Sequence, residues 1–168
     1  GGSSNPYKGW SYFVEAINML DDCYLSEIEV NIFGFESSKE DLAQFKCSVN
    51  SYGVLISEQE MLEVYSKNDI FVFSSVMESY GQTLHEAMAC GLPSVAFPVG
   101  VVPDLIDHKV NGYIAEFKNS HDLKNGIVFL IENNVDNSLS YGARKKIEEM
   151  KGKDRIINEH LALIKEIE

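Results

Sequence analysis

The sequence predicts an α/β fold: a Rossmann-like, doubly wound parallel sheet with helices on both faces and a helical C-terminal segment. Three observations predict it. Short apolar or β-branched runs at Ile28–Phe33, Ile70–Phe73 and Ser94–Phe97 alternate with stretches of helical period, the order of βαβ units. The run Ile70-Phe71-Val72-Phe73 is apolar throughout, as in a parallel strand buried on both faces. Glycines or capping sequences mark most boundaries between these stretches. At 168 residues the chain, 1–168, reads as a single domain with its own core.

Each element follows from local chemistry. A first helix is expected over Lys8–Leu20, where Trp10, Phe13, Val14, Ile17 and Leu20 share a face. Strand Ile28–Phe33 follows and stops at Gly34. Lys39–Phe45 is a short helix, and Cys47–Tyr52 a weaker strand that Gly53 ends. Ser57 and Glu60 form a capping-box pattern ahead of a helix carrying Met61, Leu62 and Tyr65. After Ile70–Phe73, Ser79-Tyr80-Gly81-Gln82 has the same pattern and leads into a helix over Thr83–Cys90, terminated by Gly91 and Pro93. Ser94–Phe97 is a strand, Pro103–Asp107 a helical turn and Gly112–Ala115 a last strand. Helices over Asp122–Glu132, Leu139–Met150 and Asp154–Ile167 complete the chain.

Composition removes several function classes. Hydrophobic residues make up 45% and charged residues 24%, the balance of a folded domain rather than a disordered tail. A net charge of −12 argues against nucleic acid as a partner, because a phosphate backbone needs basic surface. A small anion is still compatible, since a few backbone N–H groups and one lysine can hold it. Cys23, Cys47 and Cys90 are odd in number and share no metal-ligand spacing, which argues for reduced thiols. The longest apolar runs fall far short of the roughly 18 residues that span a bilayer.

In doubly wound sheets ligands bind beyond the carboxyl ends of the strands. That directs attention to the segment after Phe73, which feeds straight into a helix N-terminus. Free N–H groups near Gly81, Gln82 and Thr83, together with the helix dipole, make an anion site, and Gly81 allows close approach to the backbone. Glu78 and Glu86 should stand on the order of 10 Å apart at ~1.5 Å per helical residue, wider than the ~5 Å carboxylate pair of a retaining glycosidase. One reading makes them two acceptors gripping separate polyols, a sugar and a ribose, with the anion between. The other leaves Glu78 in solvent and Glu86 on the wet face of its helix, which residue type alone favours. Lys8 is either a phosphate ligand at the first helix or a solvated lysine. Gly34 and Gly53-Val54 either bring backbone close to a flat base or are plain turns. No Ser/His/Asp set and no phosphate-loop lysine motif is present.

The stretch Glu78-Ser-Tyr-Gly-Gln-Thr-Leu-His-Glu86-Ala-Met-Ala-Cys-Gly-Leu-Pro93 resembles the signature of glycosyltransferase family 4, the glycosyl transferases group 1, within the C-terminal domain of the GT-B fold. The paired glutamates, Gly81, Ala87-Met88-Ala89-Cys90-Gly91 and Pro93 carry the match. Asn5–Gly9, Asp69–Ser75, Gly100–Ile106 and Asn111–Tyr113 extend it over nearly the whole chain. The resemblance implies the donor-binding domain of a retaining glycosyltransferase of hexosyltransferase type (EC 2.4), serving glycan or polysaccharide synthesis. It implies a UDP- or GDP-sugar as co-substrate, without a metal or other cofactor. Glu78 would be the catalytic residue and meet the donor sugar, and Glu86 would take the ribose hydroxyls. The backbone at Ser79, Tyr80, Gly81, Gln82 and Thr83 would hold sugar and phosphate, Lys8 the diphosphate, and Gly53 and Val54 the base.

The sequence also departs from the family pattern. Gly2 or Ser3 stands where an arginine is common, Ser74 replaces a frequent proline, and Val101 replaces a second glycine. The family's N-terminal Rossmann domain, which supplies the acceptor site, is expected to be missing here. The first strand of this domain is expected to be missing or reduced to Gly1–Ser4. The isolated chain is therefore expected to be inactive. A nucleotide-sugar epimerase or phosphorylase of the same architecture, and a non-catalytic nucleotide-sugar-binding module, are the competing readings. The expected location is cytoplasmic, and the intact enzyme could attach peripherally at the inner face of the membrane.

Overall fold

A computed structural model describes residues 5–150. The helix read at Asp154–Ile167 lies outside these described residues. In chain order the elements are α1 (Trp10–Asn18), α2 (Asp22–Leu25), β1 (Glu29–Ile32), α3 (Lys39–Leu42), β2 (Ser48–Ser51), α4 (Glu58–Ser66), β3 (Phe71–Phe73), α5 (Gln82–Ala89), β4 (Ser94–Ala96), α6 (Val102–Leu105), β5 (Gly112–Ile114), α7 (Ser120–Asn133) and α8 (Ser138–Met150). The five strands fall within the five segments the sequence predicts, and every strand pair is parallel. Among these helices and strands, α2 alone has no counterpart expected from the sequence.

Strand β4 is central, with Val95 paired to Val72 on one side and Tyr113 on the other. Its alternation divides the core. Val95 joins a cluster with Ile17, Leu123, Ile127 and Leu130 beneath α1 and α7. Its neighbour Ala96 joins Leu84, Met88, Leu105, Ala143 and Ile147 beneath α5 and α8. Successive side chains of a strand point to opposite faces, so helices cover the sheet on both sides. A smaller cluster of Tyr65, Ala87 and Leu92 ties α4 to α5.

The expected single sheet is instead two. β1 pairs with β2, β3 with β4 and β4 with β5, and no strand joins β1 to β3 among the described residues. A cavity of about 750 Å³ lies between those two strands, walled by Ile32 and Val72 from the strands, Phe13 and Ile17 from α1, and Ile127 and Leu130 from α7. Two helix starts also differ. α1 begins at Trp10 because Gly9 is left-handed, with φ +64°. Ser79 does not cap α5; Gly81 is its N-cap, again at φ +64°, with no side-chain cap bond. A capping box at Ser79 needs helical backbone at Gly81, which that φ forbids. Ser57 does form the expected capping box with Glu60.

Candidate functional site

The site is assembled at the carboxyl end of β3. Asn5 caps a short 3-10 turn, Pro6–Lys8, by accepting from the Tyr7 amide at 3.0 Å. That turn is clamped to the strand end. The Ser74 hydroxyl donates to the Lys8 carbonyl at 2.9 Å, and the Val76 amide donates to the Tyr7 carbonyl at 2.8 Å. Gly9 packs so closely that a Cβ there would overlap the Ser74 carbonyl oxygen. The clamp brings Lys8 Nζ to 2.7 Å from Glu78 Oε2, 70 residues later in the chain. Sequence spacing could not reveal this pairing.

Glu78 is mostly shielded, its side chain 20% exposed, whereas Lys8 is 39% exposed. The Lys8 ammonium, helped by the Ser79 and Gly81 amides, holds the Glu78 carboxyl below the ordinary glutamate value of 4.5; burial opposes this more weakly. A depressed carboxyl pKa stabilises the fold above the unfolded-state value, and that contribution is lost as pH falls through the folded-state value. Lys8→Met is therefore expected to return the Glu78 titration toward 4.5, as followed by carboxyl NMR. Because Lys8 is partly solvated, the cost in stability at neutral pH should stay within about 1 kcal/mol. An unmoved Glu78 titration would contradict the assigned cause. Gly100 backs the same loop, where a Cβ would overlap the Glu78 carbonyl oxygen. In the sequence Gly100 is marked only by its place in the Gly100–Ile106 stretch that resembles the family.

At the start of α5, the N–H groups of Gln82 and Thr83 donate no hydrogen bond among the described residues. They are the free donors that a helix N-terminus presents to an anion. One turn on, Glu86 is half-buried and not on a wet face. The Gln82 amide donates to its Oε1 at 2.9 Å and the Tyr65 hydroxyl to its Oε2 at 3.1 Å. Tyr65 was legible only as an apolar-face residue of α4, since no spacing links position 65 to 86. Tyr80 is exposed and stacks on buried His85, with ring centroids 4.5 Å apart and planes 12° apart.

Gly53 lies after β2 in the other sheet half. Its φ is +64°, a Cβ there would meet Glu36 Oε1 at 2.7 Å, and its carbonyl accepts from the Gly34 amide at 2.7 Å. Val54 is exposed. The structure thus joins Lys8 to Glu78 and Gln82 to Glu86, but no hydrogen bond joins Gly53 or Val54 to either pair among the described residues. Among those residues there is no cluster of His, Cys, Asp or Glu able to hold a metal ion, and no helix long and apolar enough to cross a membrane.

A parallel α/β domain with helices on both faces is the fold of the GT-B glycosyltransferase domains that this chain resembles. The chain belongs to the glycosyl transferases group 1 family, whose family model matches residues 2–149. It is similar to an uncharacterized glycosyltransferase of Haemophilus influenzae, with 29% identity over 160 residues, 87% of this chain and 45% of the relative. Among solved structures it is similar to HepE of Anabaena in complex with UDP and glucose, at TM-score 0.76 and 21% identity, covering 98% of this chain and 46% of that one. It is also similar to TarM, at TM-score 0.77 and 26% identity, covering 95% of this chain and 33% of that one. The chain spans less than half the length of each of these proteins.

Proposed function

We propose that this chain is the donor-binding half of a retaining glycosyltransferase that moves a hexose from a nucleotide sugar to an acceptor in glycan or polysaccharide synthesis. The observation that carries the reading is the Lys8–Glu78 pair beside the open N-terminus of α5, with Glu86 held one turn further on. The diphosphate lies over the Gln82 and Thr83 amides, within reach of Lys8. Glu78 accepts from hydroxyls of the donor sugar, and Glu86 accepts from the ribose. The Gly53-Val54 backbone faces the base. As the sugar leaves, negative charge grows on the diphosphate. Fixed N–H dipoles, the α5 N-terminus and the Lys8 ammonium oppose it without reorganising, so this reading assigns no metal to the donor site.

A second domain supplies the acceptor and closes the cleft, and the intact enzyme works in the cytoplasm or peripherally at the inner membrane face. The presence of UDP with HepE supports uridine diphosphate as the first ligand to try. A thermal-shift screen of UDP, GDP and their sugars is expected to raise the unfolding midpoint for one nucleotide. A ligand that binds only the folded state adds about 2.7 kcal/mol at a hundredfold excess over Kd. The isolated chain should transfer no sugar, because an open cleft neither positions the acceptor nor excludes water. Turnover by the chain alone at the rate of a two-domain form would refute the second-domain requirement. Failure of every nucleotide to shift the midpoint would refute the donor site.

A further inference from the structure

We propose that Tyr65 is a positioning residue: from the core it fixes the Glu86 carboxylate for the ribose diol, and so sets the preference for ribonucleotide over deoxyribonucleotide donors. The inference rests on the reading of Glu86 as the ribose acceptor. Tyr65 is 3% exposed. Its ring is wedged edge-to-face between Phe33, at 5.4 Å and 86°, and Phe71, at 6.0 Å and 74°. These contacts immobilise the ring and leave the hydroxyl as its one polar atom.

That hydroxyl reaches two acceptors, Glu86 Oε2 at 3.1 Å and the Thr83 carbonyl at 3.3 Å. One O–H has one proton, and an ionised carboxylate is the stronger acceptor. Burial and the charge of Glu86 both push the phenol far above its ordinary value, so it stays a donor at every working pH. The other carboxylate oxygen is held by Gln82, which is exposed and lies on the same helix. The two supports therefore differ: Gln82 can swing into solvent, and Tyr65 cannot. Each carboxylate oxygen accepts one of these bonds and keeps capacity for a ligand hydroxyl. Tyr65 does not touch the ligand itself; it removes the freedom Glu86 would otherwise lose on binding.

The test compares wild type, Tyr65→Phe, Glu86→Gln and the double variant by calorimetry. UDP is titrated against 2′,3′-dideoxy-UDP, with GDP and its dideoxy form as the alternative pair, and the unliganded unfolding midpoint serves as the fold control. Wild type is expected to bind the ribonucleotide about tenfold or more tightly over the dideoxy form. Tyr65→Phe is expected to weaken the ribonucleotide roughly five- to tenfold and to leave the dideoxy form unchanged. In the Glu86→Gln background, Tyr65→Phe is expected to change the ratio little. Equal losses for both nucleotides would mean a merely structural role and would overturn the proposal, as would a Tyr65→Phe ratio equal to that of wild type. A wild type that binds both forms equally would overturn the ribose role of Glu86 and this inference, while leaving nucleotide binding standing. A wild type that binds neither base overturns the donor site and this inference together.

Discussion

Gly9→Ala is expected to destabilise the domain by about 3 kcal/mol or more and to dismantle the Lys8–Glu78 pair. Two costs add. The left-handed conformation at φ +64° penalises any Cβ by roughly 1–2 kcal/mol. The new methyl would also overlap the Ser74 carbonyl oxygen, a backbone atom that no rotamer change can remove. Relief requires the Asn5–Gly9 turn to lift off β3, which breaks the Ser74–Lys8 and Val76–Tyr7 hydrogen bonds and withdraws Lys8 from Glu78. Gly34→Ala is the control, because φ is +93° there but no atom lies within 4 Å of the added Cβ. It should show the conformational cost without the overlap. Urea unfolding of the two variants measures the difference, and equal losses would show that the clamp on β3 contributes nothing.

Glu86→Ala is expected to weaken nucleotide binding by roughly 1.5–3 kcal/mol, about ten- to 150-fold, the worth of hydrogen bonds to a charged acceptor. The fold should survive. Removing the carboxylate does not orphan the buried Tyr65 hydroxyl, because the Thr83 carbonyl stands 3.3 Å away as a second acceptor. Calorimetry showing unchanged affinity for the preferred nucleotide would remove Glu86 from the ribose. Glu78→Ala provides the contrast, affecting the nucleotide sugar with little change for the bare nucleotide. Equal losses on the two ligands would mean that Glu78 shapes the loop and does not meet the sugar.

What was legible in the sequence follows from how far apart its determinants lie. The run Ile70–Phe73 announces β3, and Ser57 with Glu60 announces the start of α4, because apolar period and capping act within a few residues. Glu78 and Glu86 were nameable as candidates for the same reason, both lying in one continuous stretch after β3. The partners that hold them were not. Lys8 is brought to Glu78 by a turn docked on Ser74, and Tyr65 is brought to Glu86 by the packing of α4 on α5. Residue type alone had favoured a solvated Glu86, and only tertiary packing reverses that. The Ser79 capping box failed for a related reason. Its pattern was sound, but the left-handed backbone at Gly81 overrides it, with Val101 Cγ1 packed 3.2 Å from where a Cβ would sit.

The break between β1 and β3 bears on how the backbone meets solvent. Amides of β4 are engaged by strands on both sides, whereas β1 and β3 each turn one edge toward the cavity with no strand partner among the described residues. Hydrogen exchange should therefore be slowest along β4 and faster on alternate amides of β1 and β3, at the centre of the molecule and not only at its rim.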